Sequence, residues 1–455
     1  MKIQSIRKQV FNLLPDRIQG HVARTLSHAG FVRYLKNTGW LIAARIATFA
    51  TSIITVAIVA RYLGPDNLGK LSYAQSFVSI FSIFASLGID QIIYRDLAAN
   101  PERQNEILGT AVISKFLFGT LTLLASIFVS VLVDNEPILT LLIGIISFTF
   151  LLNPLGTVGI YFQAQVQARY TSLITIFTAL FIPALKLLTI YFGGGIIYFA
   201  SILVLESLVI TLWSLYIYLT RFKLNPLHWV FTGKTFKGLV LDSWPFLFAG
   251  LFSYIYARID QVMLQHYLNS AAVGIYDVAV KVSNASNFLP TITIAALFPA
   301  IVQAKKHDRS QYLRRYYSLT ILVGATTLLT ALCIFILARP IILILFGDAY
   351  APSILLLRIY IWAGAIAIVG TLVQQYLITE NLGWVHLILT AIGAVANIGL
   401  NLFLIPRYGV MGAAFATLFS YPIIPLGLLF LGRFREDLKF VFSKKPGDDS
   451  LHSTP

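Results

Sequence analysis

Two segments of this chain, residues 62–74 (YLGPDNLGKLSYA) and 267–279 (YLNSAAVGIYDVA), align without a gap, and each lies between two long apolar runs. Such a duplication divides the chain into two equivalent halves, and in a membrane protein it most often marks a transporter. The setting is a membrane: 57% of the 455 residues are hydrophobic and 12% charged, and the mean hydropathy is +0.79. A soluble globule does not have that composition. The apolar runs reach the roughly 20 residues a helix needs to cross about 30 Å of hydrocarbon, where barrel strands would alternate over about ten. The fold class is therefore all-α, with spans expected at 39–60, 71–90, 108–133, 138–158, 172–192, 196–219, 242–266, 273–301, 316–338, 353–378, 384–405 and 409–431.

These twelve spans fall into two pseudo-symmetric six-helix lobes, 39–220 and 242–432, joined by a basic linker at 221–241 and followed by a tail at 433–455. Six spans per half give equivalent helices the same orientation, a parallel repeat with a cavity between the lobes. A second echo, KLLTIYFGG at 186–194 and NLFLIPRYG at 401–409, ends the fifth helix of each half. Residues 1–38 are basic without a continuous apolar core, so they do not read as a cleavable signal. Ile3, Ile6, Val10 and Leu14 there suggest a short amphipathic segment lying on the membrane surface.

The net charge of +15 would suit nucleic acid, but the basic residues sit in the N-terminus, alternate loops, linker and tail, all on one side of the expected spans. By the positive-inside rule that side is the cytoplasm, which holds both termini. The charge marks orientation, and no nucleic-acid partner is expected. The single cysteine, Cys333, lies in an apolar run and leaves no disulfide or thiolate metal site. Gly233-Lys234-Thr235 resembles the end of a phosphate-binding loop, yet His228 stands where that loop needs its first glycine. HExxH and GxSxG are absent, and no external loop is long enough to carry the active site of a polymerase or ligase. The reading is a transporter rather than an enzyme, with no cofactor.

Polar residues at helical spacing mark the walls of the expected cavity. Arg45, Thr48, Ser52 and Thr55 line one face of the first helix, and Ser72, Ser76, Ser79, Ser86 and Asp90 one face of the second. Their repeat mates carry Tyr254, Arg258, Gln261 and Gln265, then Asp277, Lys281, Asn284 and Thr291. Ser and Thr also serve close helix packing. A cation inside a membrane costs on the order of 3 kcal/mol on insertion scales, so Arg45, Lys186, Arg258, Lys281 and Arg358 need hydration, pairing or a ligand. Lys186, Arg358 and Arg45 lie close enough to a surface to snorkel, and Asp277 and Lys281, four residues apart, can neutralise each other. A cavity walled by cations implies an anionic cargo, with Arg suited to phosphate. The candidate substrate-binding residues are Arg45, Arg258, Lys281, Lys186, Arg358, Tyr254, Gln261 and Asn284. No ATP site is visible, so a proton or sodium gradient is the expected energy source, with Glu206, Asp260, Asp277 and Asp90 as ion-coupling candidates.

The segments ARYLGPDNLGKLSYAQS at 60–76, SLGIDQIIYRDLA at 86–98, ARIDQVMLQHYLNSAAVGIYDVAVKV at 257–282 and NIGLNLFLIPRYGVMGAAFATLFSY at 397–421 resemble the polysaccharide transporters. These are the O-antigen and capsule repeat-unit flippases of the multidrug/oligosaccharidyl-lipid/polysaccharide exporter superfamily, and the resemblance runs from about residue 38 to 432. It implies a bacterial or archaeal inner-membrane protein that moves polyprenyl-diphosphate-linked oligosaccharide units outward by alternating access. It also implies ion coupling, a cationic lumen to which Arg45 and Arg258 with Asp260 transfer, and work beside a polymerase and a chain-length regulator. Related lipid II flippases carry an additional pair of spans, which this chain lacks in the expected count. A drug/cation antiporter of the same superfamily, a lipid II flippase and a non-transporting scaffold for a polysaccharide synthase are the alternatives.

Overall fold

The computed structural model describes residues 29–134, 136–305 and 308–443. The expected surface segment at residues 3–14 and the tail beyond 443 lie outside them. Every regular element among the described residues is helical.

The first helix, α1 (Ala29–Ser86), carries both of the first two expected spans. Its membrane-length portion is Ala43–Ser86, 44 residues, or about 66 Å at 1.5 Å per residue, twice the hydrocarbon thickness. It breaks at Gly64 (φ 69°, ψ 172°), followed directly by Pro65. Glycine alone adopts that backbone cheaply, and proline restarts a helix because its missing N–H falls where no intrahelical partner exists. A second turn of left-handed backbone at Leu87 and Gly88 separates α1 from the short α2 (Asp90–Ala99).

The first half continues with α3 (Gln104–Val133), then a bent span made of α4 (Pro137–Ser147), α5 (Thr149–Gly156) and α6 (Val158–Ala164), then α7 (Ala168–Tyr191) and α8 (Ile196–Thr220). The second half comprises α9 (Gly233–Tyr267), α10 (Ser270–Ser286), α11 (Phe288–Lys305), α12 (Arg309–Leu345), α13 (Ser353–Thr379), α14 (Gly383–Tyr408), α15 (Val410–Ser420) and α16 (Ile423–Leu428). Ten helices are long and apolar enough to cross a membrane, eleven with the bent span, among the described residues. The sequence reading expected twelve; the difference arises because α1 is one broken helix. Large apolar side chains on the outside, such as Leu132 at 68% and Ile321 at 70% exposure, belong against lipid tails. The chain is a multi-pass membrane protein.

The two copies of the repeat cross each other. A Cβ on Gly69 would meet the Ser270 carbonyl oxygen, and one on Gly274 would meet that of Pro65. Ser72 donates to Asp277 Oδ2 at 2.7 Å, and those residues are 205 apart, the same spacing that separates Gly69 from Gly274 and Pro65 from Ser270. The contacts are thus reciprocal about a local two-fold axis, and the missing side chains let the backbones touch. On the same flank Tyr350 donates to the Ala60 carbonyl at 2.8 Å, and Arg61 donates to the carbonyl of Ile344.

A buried ionic cluster docks the last helix, α17 (Gly432–Ser443), against the second half. Glu380, with a fully buried side chain, pairs with Lys305 at 2.8 Å and Arg433 at 2.6 Å. Asp437 takes Arg309 at 2.7 Å and the Tyr376 hydroxyl at 2.7 Å. Removing Glu380 leaves Lys305, Arg309 and Arg433 facing one another; because these cations are partly exposed, the cost falls below the roughly 3–5 kcal/mol of a fully buried pair. Glu380→Ala is therefore expected to free α17, read as faster tryptic cleavage at Arg433 and Arg435 in otherwise intact protein.

Candidate substrate pathway

Three cavities follow one another from the start of α1 into the first half. The first, about 540 Å³, lies between α1, α7 and the α10–α11 junction. Arg45, Ser52 and Asn284 line it, and Phe49 stacks on Phe288 with ring centroids 3.8 Å apart. Arg45 and Asn284, read from separate stripes, share this space.

The next turns of α1, Thr55 to Val59, wall a smaller cavity of about 60 Å³ beside the helix crossing. Lys186 reaches it from α7 and Lys281 from α10, with Gln75 alongside. Lys281 pairs with Asp277 at 2.5 Å, and Asp277 is further held by Ser72 and by Gln261 Nε2 at 3.1 Å. Lys186 has no ion pair or hydrogen bond among the described residues; it lies within electrostatic reach of Glu206 and, with a smaller effect, of Lys281. Lys281 is met by Asp277 and Lys186 has Glu206 within reach, but the Lys186 ammonium keeps its hydrogen-bond donors unused and can offer them to an anion entering this space. Gln261 accepts from Ser76 at 2.5 Å and bridges to Asp277, so its amide is engaged in the crossing, and it lines none of these three cavities.

The third cavity, about 590 Å³, is bordered by Asp90, Lys115, Asn153 and Glu206 of the first half and by Tyr254 of α9. Asp90 is ion-paired with Lys115, whose Nζ also donates to Thr157 at 3.1 Å. The sequence reading passed over Lys115; the signal was a cation alone in the apolar run 108–133.

Asp260 occupies a different place, fully enclosed at the meeting of four helices. Its Oδ2 accepts from Tyr276 of α10 and Thr417 of α15, both at 2.6 Å, and its Oδ1 from Asn401 of α14 at 2.5 Å. Asn397 joins through Asn401 at 3.1 Å, and the Asn401 carbonyl oxygen is buried without a partner. No Lys or Arg forms an ion pair with Asp260 among the described residues. Asn401 and Thr417 lay in the resemblance segment 397–421, but nothing in their spacing connected them to Asp260. Arg258 lies within electrostatic reach of Tyr360 and Tyr421, and Arg358 sits over the Phe335 ring at 5.6 Å. Neither lines any of the three cavities.

A profile of the family described as "Polysaccharide biosynthesis protein" matches residues 34–305. The chain belongs to this family. Among curated relatives, this family member is 26% identical over 389 residues to "Probable flippase AglR" of Haloferax volcanii, a match spanning 82% of this chain and 78% of the relative. It is 24% identical over 333 residues to "Succinoglycan biosynthesis transport protein ExoT" of Rhizobium meliloti, across 70% of this chain and 63% of that one. These relatives are named as a flippase and a transport protein, not as enzymes. In fold it is similar to the solved "Lipid II flippase MurJ, inward closed conformation", with a TM-score of 0.71 at 17% identity over 90% of each chain. The expected superfamily fold is the one observed.

Proposed function

We propose that this polysaccharide biosynthesis protein flips a polyprenyl-diphosphate-linked oligosaccharide across the bacterial or archaeal cytoplasmic membrane by alternating access. The observation that carries the reading is the pair Lys186 and Lys281, brought from different halves of the chain to one small cavity at the repeat crossing. A diphosphate offers two neighbouring negative groups to two ammonium donors, and charge-assisted hydrogen bonds are the strong ones; the space between the lysines, about 60 Å³ in this closed arrangement, widens during the cycle to admit it. The cargo passes Arg45 in the first cavity, beside the Phe49/Phe288 stack, and reaches the lysines, while the Gly69/Gly274 crossing holds the opposite end shut. The lipid tail stays in the bilayer. Both termini face the cytoplasm in this reading, and a polymerase and a chain-length regulator take over the product outside. A cationic drug would be repelled by the same lysines.

A proton or sodium gradient supplies the energy through Asp260. One carboxylate held by neutral hydroxyl and amide groups suits a monovalent cation or a proton, and Asn401 keeps a buried side-chain oxygen free for it. Since Tyr276 is on α10, about one and a half turns from Lys281, ion occupancy acts on the helix that holds the cargo. A coupling free energy typical of such linkage corresponds to roughly 5–150-fold, so Asp260→Asn is expected to cut gradient-driven flipping by at least tenfold within that range. Flux that ignores the substitution removes Asp260 from coupling.

The test of the function is reconstitution in liposomes with an undecaprenyl-diphosphate-linked oligosaccharide in one leaflet. Its appearance in the other leaflet under a proton or sodium gradient, and its loss with Lys186→Gln, supports the reading. No movement under either gradient returns the weight to a drug antiporter or a scaffold.

A further inference from the structure

The third cavity differs in chemistry from the lysine cavity it adjoins. Leu203 of α8 is wall to both, and Glu206, one turn further on, borders the third while lying within electrostatic reach of Lys186. Whatever is bonded to a diphosphate held by the lysines has this space next door. Its volume of about 590 Å³ lies inside the roughly 300–1,000 Å³ of small-ligand sites. The bent span turns by 48° where it borders this cavity, around Asn153 and Pro154. A helix is broken at membrane depth only where protein or a wet cavity receives the freed backbone groups.

The hydrogen-bonding capacity left over is mostly acceptor. Ser82 and Ser86 each donate to a carbonyl of their own helix at 2.6 and 3.1 Å, and Ser207 donates to Asn153 Oδ1 at 3.1 Å. Lone pairs of Ser82 and Ser207 remain, Ser86 Oγ already accepts the Gly88 N–H at 3.4 Å, and the Asn153 amide adds N–H donors to the wall. Glu206 adds two carboxylate oxygens and has no hydrogen bond or ion pair among the described residues. The Lys115 charge, by contrast, is met by Asp90. At the side facing α9, Tyr254 offers a ring that is 40% exposed.

We infer that this cavity is a sugar subsite that receives a pyranose of the diphosphate-linked glycan, taking an uncharged or amino sugar and turning away a uronic acid. The inference rests on the lipid-diphosphate reading proposed above. A polyol brings many O–H donors to a wall rich in acceptors, with Asn153 N–H groups to meet its own oxygens, a ring face suits the apolar face of a pyranose, and the Glu206 carboxylate repels a sugar carboxylate. The lysines thus hold what all such cargoes share, and the third cavity reads what differs.

The test uses the full chain in lipid nanodiscs and three probes: undecaprenyl diphosphate, and the same lipid carrying one glucose or one glucuronate. The readout is each sugar's affinity relative to the bare lipid diphosphate, so that any change at the lysines cancels. Glucose is expected to tighten binding about tenfold, the worth of one or two net hydrogen bonds, and glucuronate not at all. Glu206→Gln should bring the two sugars together, and Asn153→Leu with Ser207→Ala should remove most of the glucose advantage. Equal binding of both sugars by the unmodified protein, or sugar ratios unmoved by these variants while Lys186→Gln still weakens the bare lipid, overturns the sugar subsite alone. Failure of the bare lipid diphosphate to bind at all overturns the flippase reading, and the subsite with it.

Discussion

Flipping is expected to fall by at least about 100-fold in Lys186→Gln/Lys281→Gln/Asp277→Asn, because two charge-assisted hydrogen bonds at roughly 1.5–3 kcal/mol each are lost together. Asp277 is neutralised with Lys281 because it is buried and already accepts from Ser72 and Gln261. Left charged without its lysine, it would destabilise the crossing and confuse a folding defect with a transport defect. Asn at 277 keeps an acceptor for Ser72. The measurement is flux of a lipid-diphosphate-linked oligosaccharide in liposomes, together with the melting temperature of the same preparation. A protein that melts normally and still flips at near the parent rate shows that the two lysines do not hold the cargo.

Gly69→Val is expected to have the second large effect. The Ser270 carbonyl oxygen stands where the new Cβ would be, and Gly274 presents the mirror contact to Pro65. Backbone cannot move aside as a flexible side chain can. Overpacking of this kind costs about 1–3 kcal/mol or more, and the cost falls only on the state in which the repeats touch. At the lower end the closed population drops several-fold; at the upper end the protein is held open at that flank and cycling stops. Gly274→Val should behave alike, since the contact is reciprocal. Cys333 is the single cysteine, so Cys333→Ser gives a clean background for spin labels at Asn67→Cys and Ala349→Cys, both exposed and on opposite halves of the chain near the crossing. The distance distribution should lengthen in Gly69→Val. An unchanged distribution with normal flux means that the crossing does not gate the pathway.

Much of the architecture was legible beforehand because it depends on local rules. Apolar runs of membrane length and the duplicated segments declare themselves within a few dozen residues. Asp277 and Lys281 pair as their four-residue spacing on one helix required. The span count was less secure, since one chain segment with a single non-helical residue reads equally as one helix or two. Asn153-Pro154 interrupts its span without any gap in hydrophobicity, so the sequence showed an ordinary helix at 138–158.

The candidate pathway divides on the same line. Stripes on single helices identified polar faces, and they placed Arg45, Lys281, Asn284 and Tyr254 against cavities. They also included Gln261, which the crossing consumes, because periodicity states which face a residue lies on and not what lies opposite. Lys115 was missed since a partner 25 residues away, Asp90, makes its charge tolerable. The chain's sequence by itself determined that it is helical, membrane-embedded and duplicated, because burial in hydrocarbon and backbone hydrogen bonding are satisfied within each helix. Only the tertiary structure decided that Lys186 meets Lys281 and that Asp260 meets Tyr276, Asn401 and Thr417. Those meetings join helices up to 157 residues apart, and they are set by how side chains interlock between helices, a property that no one helix contains.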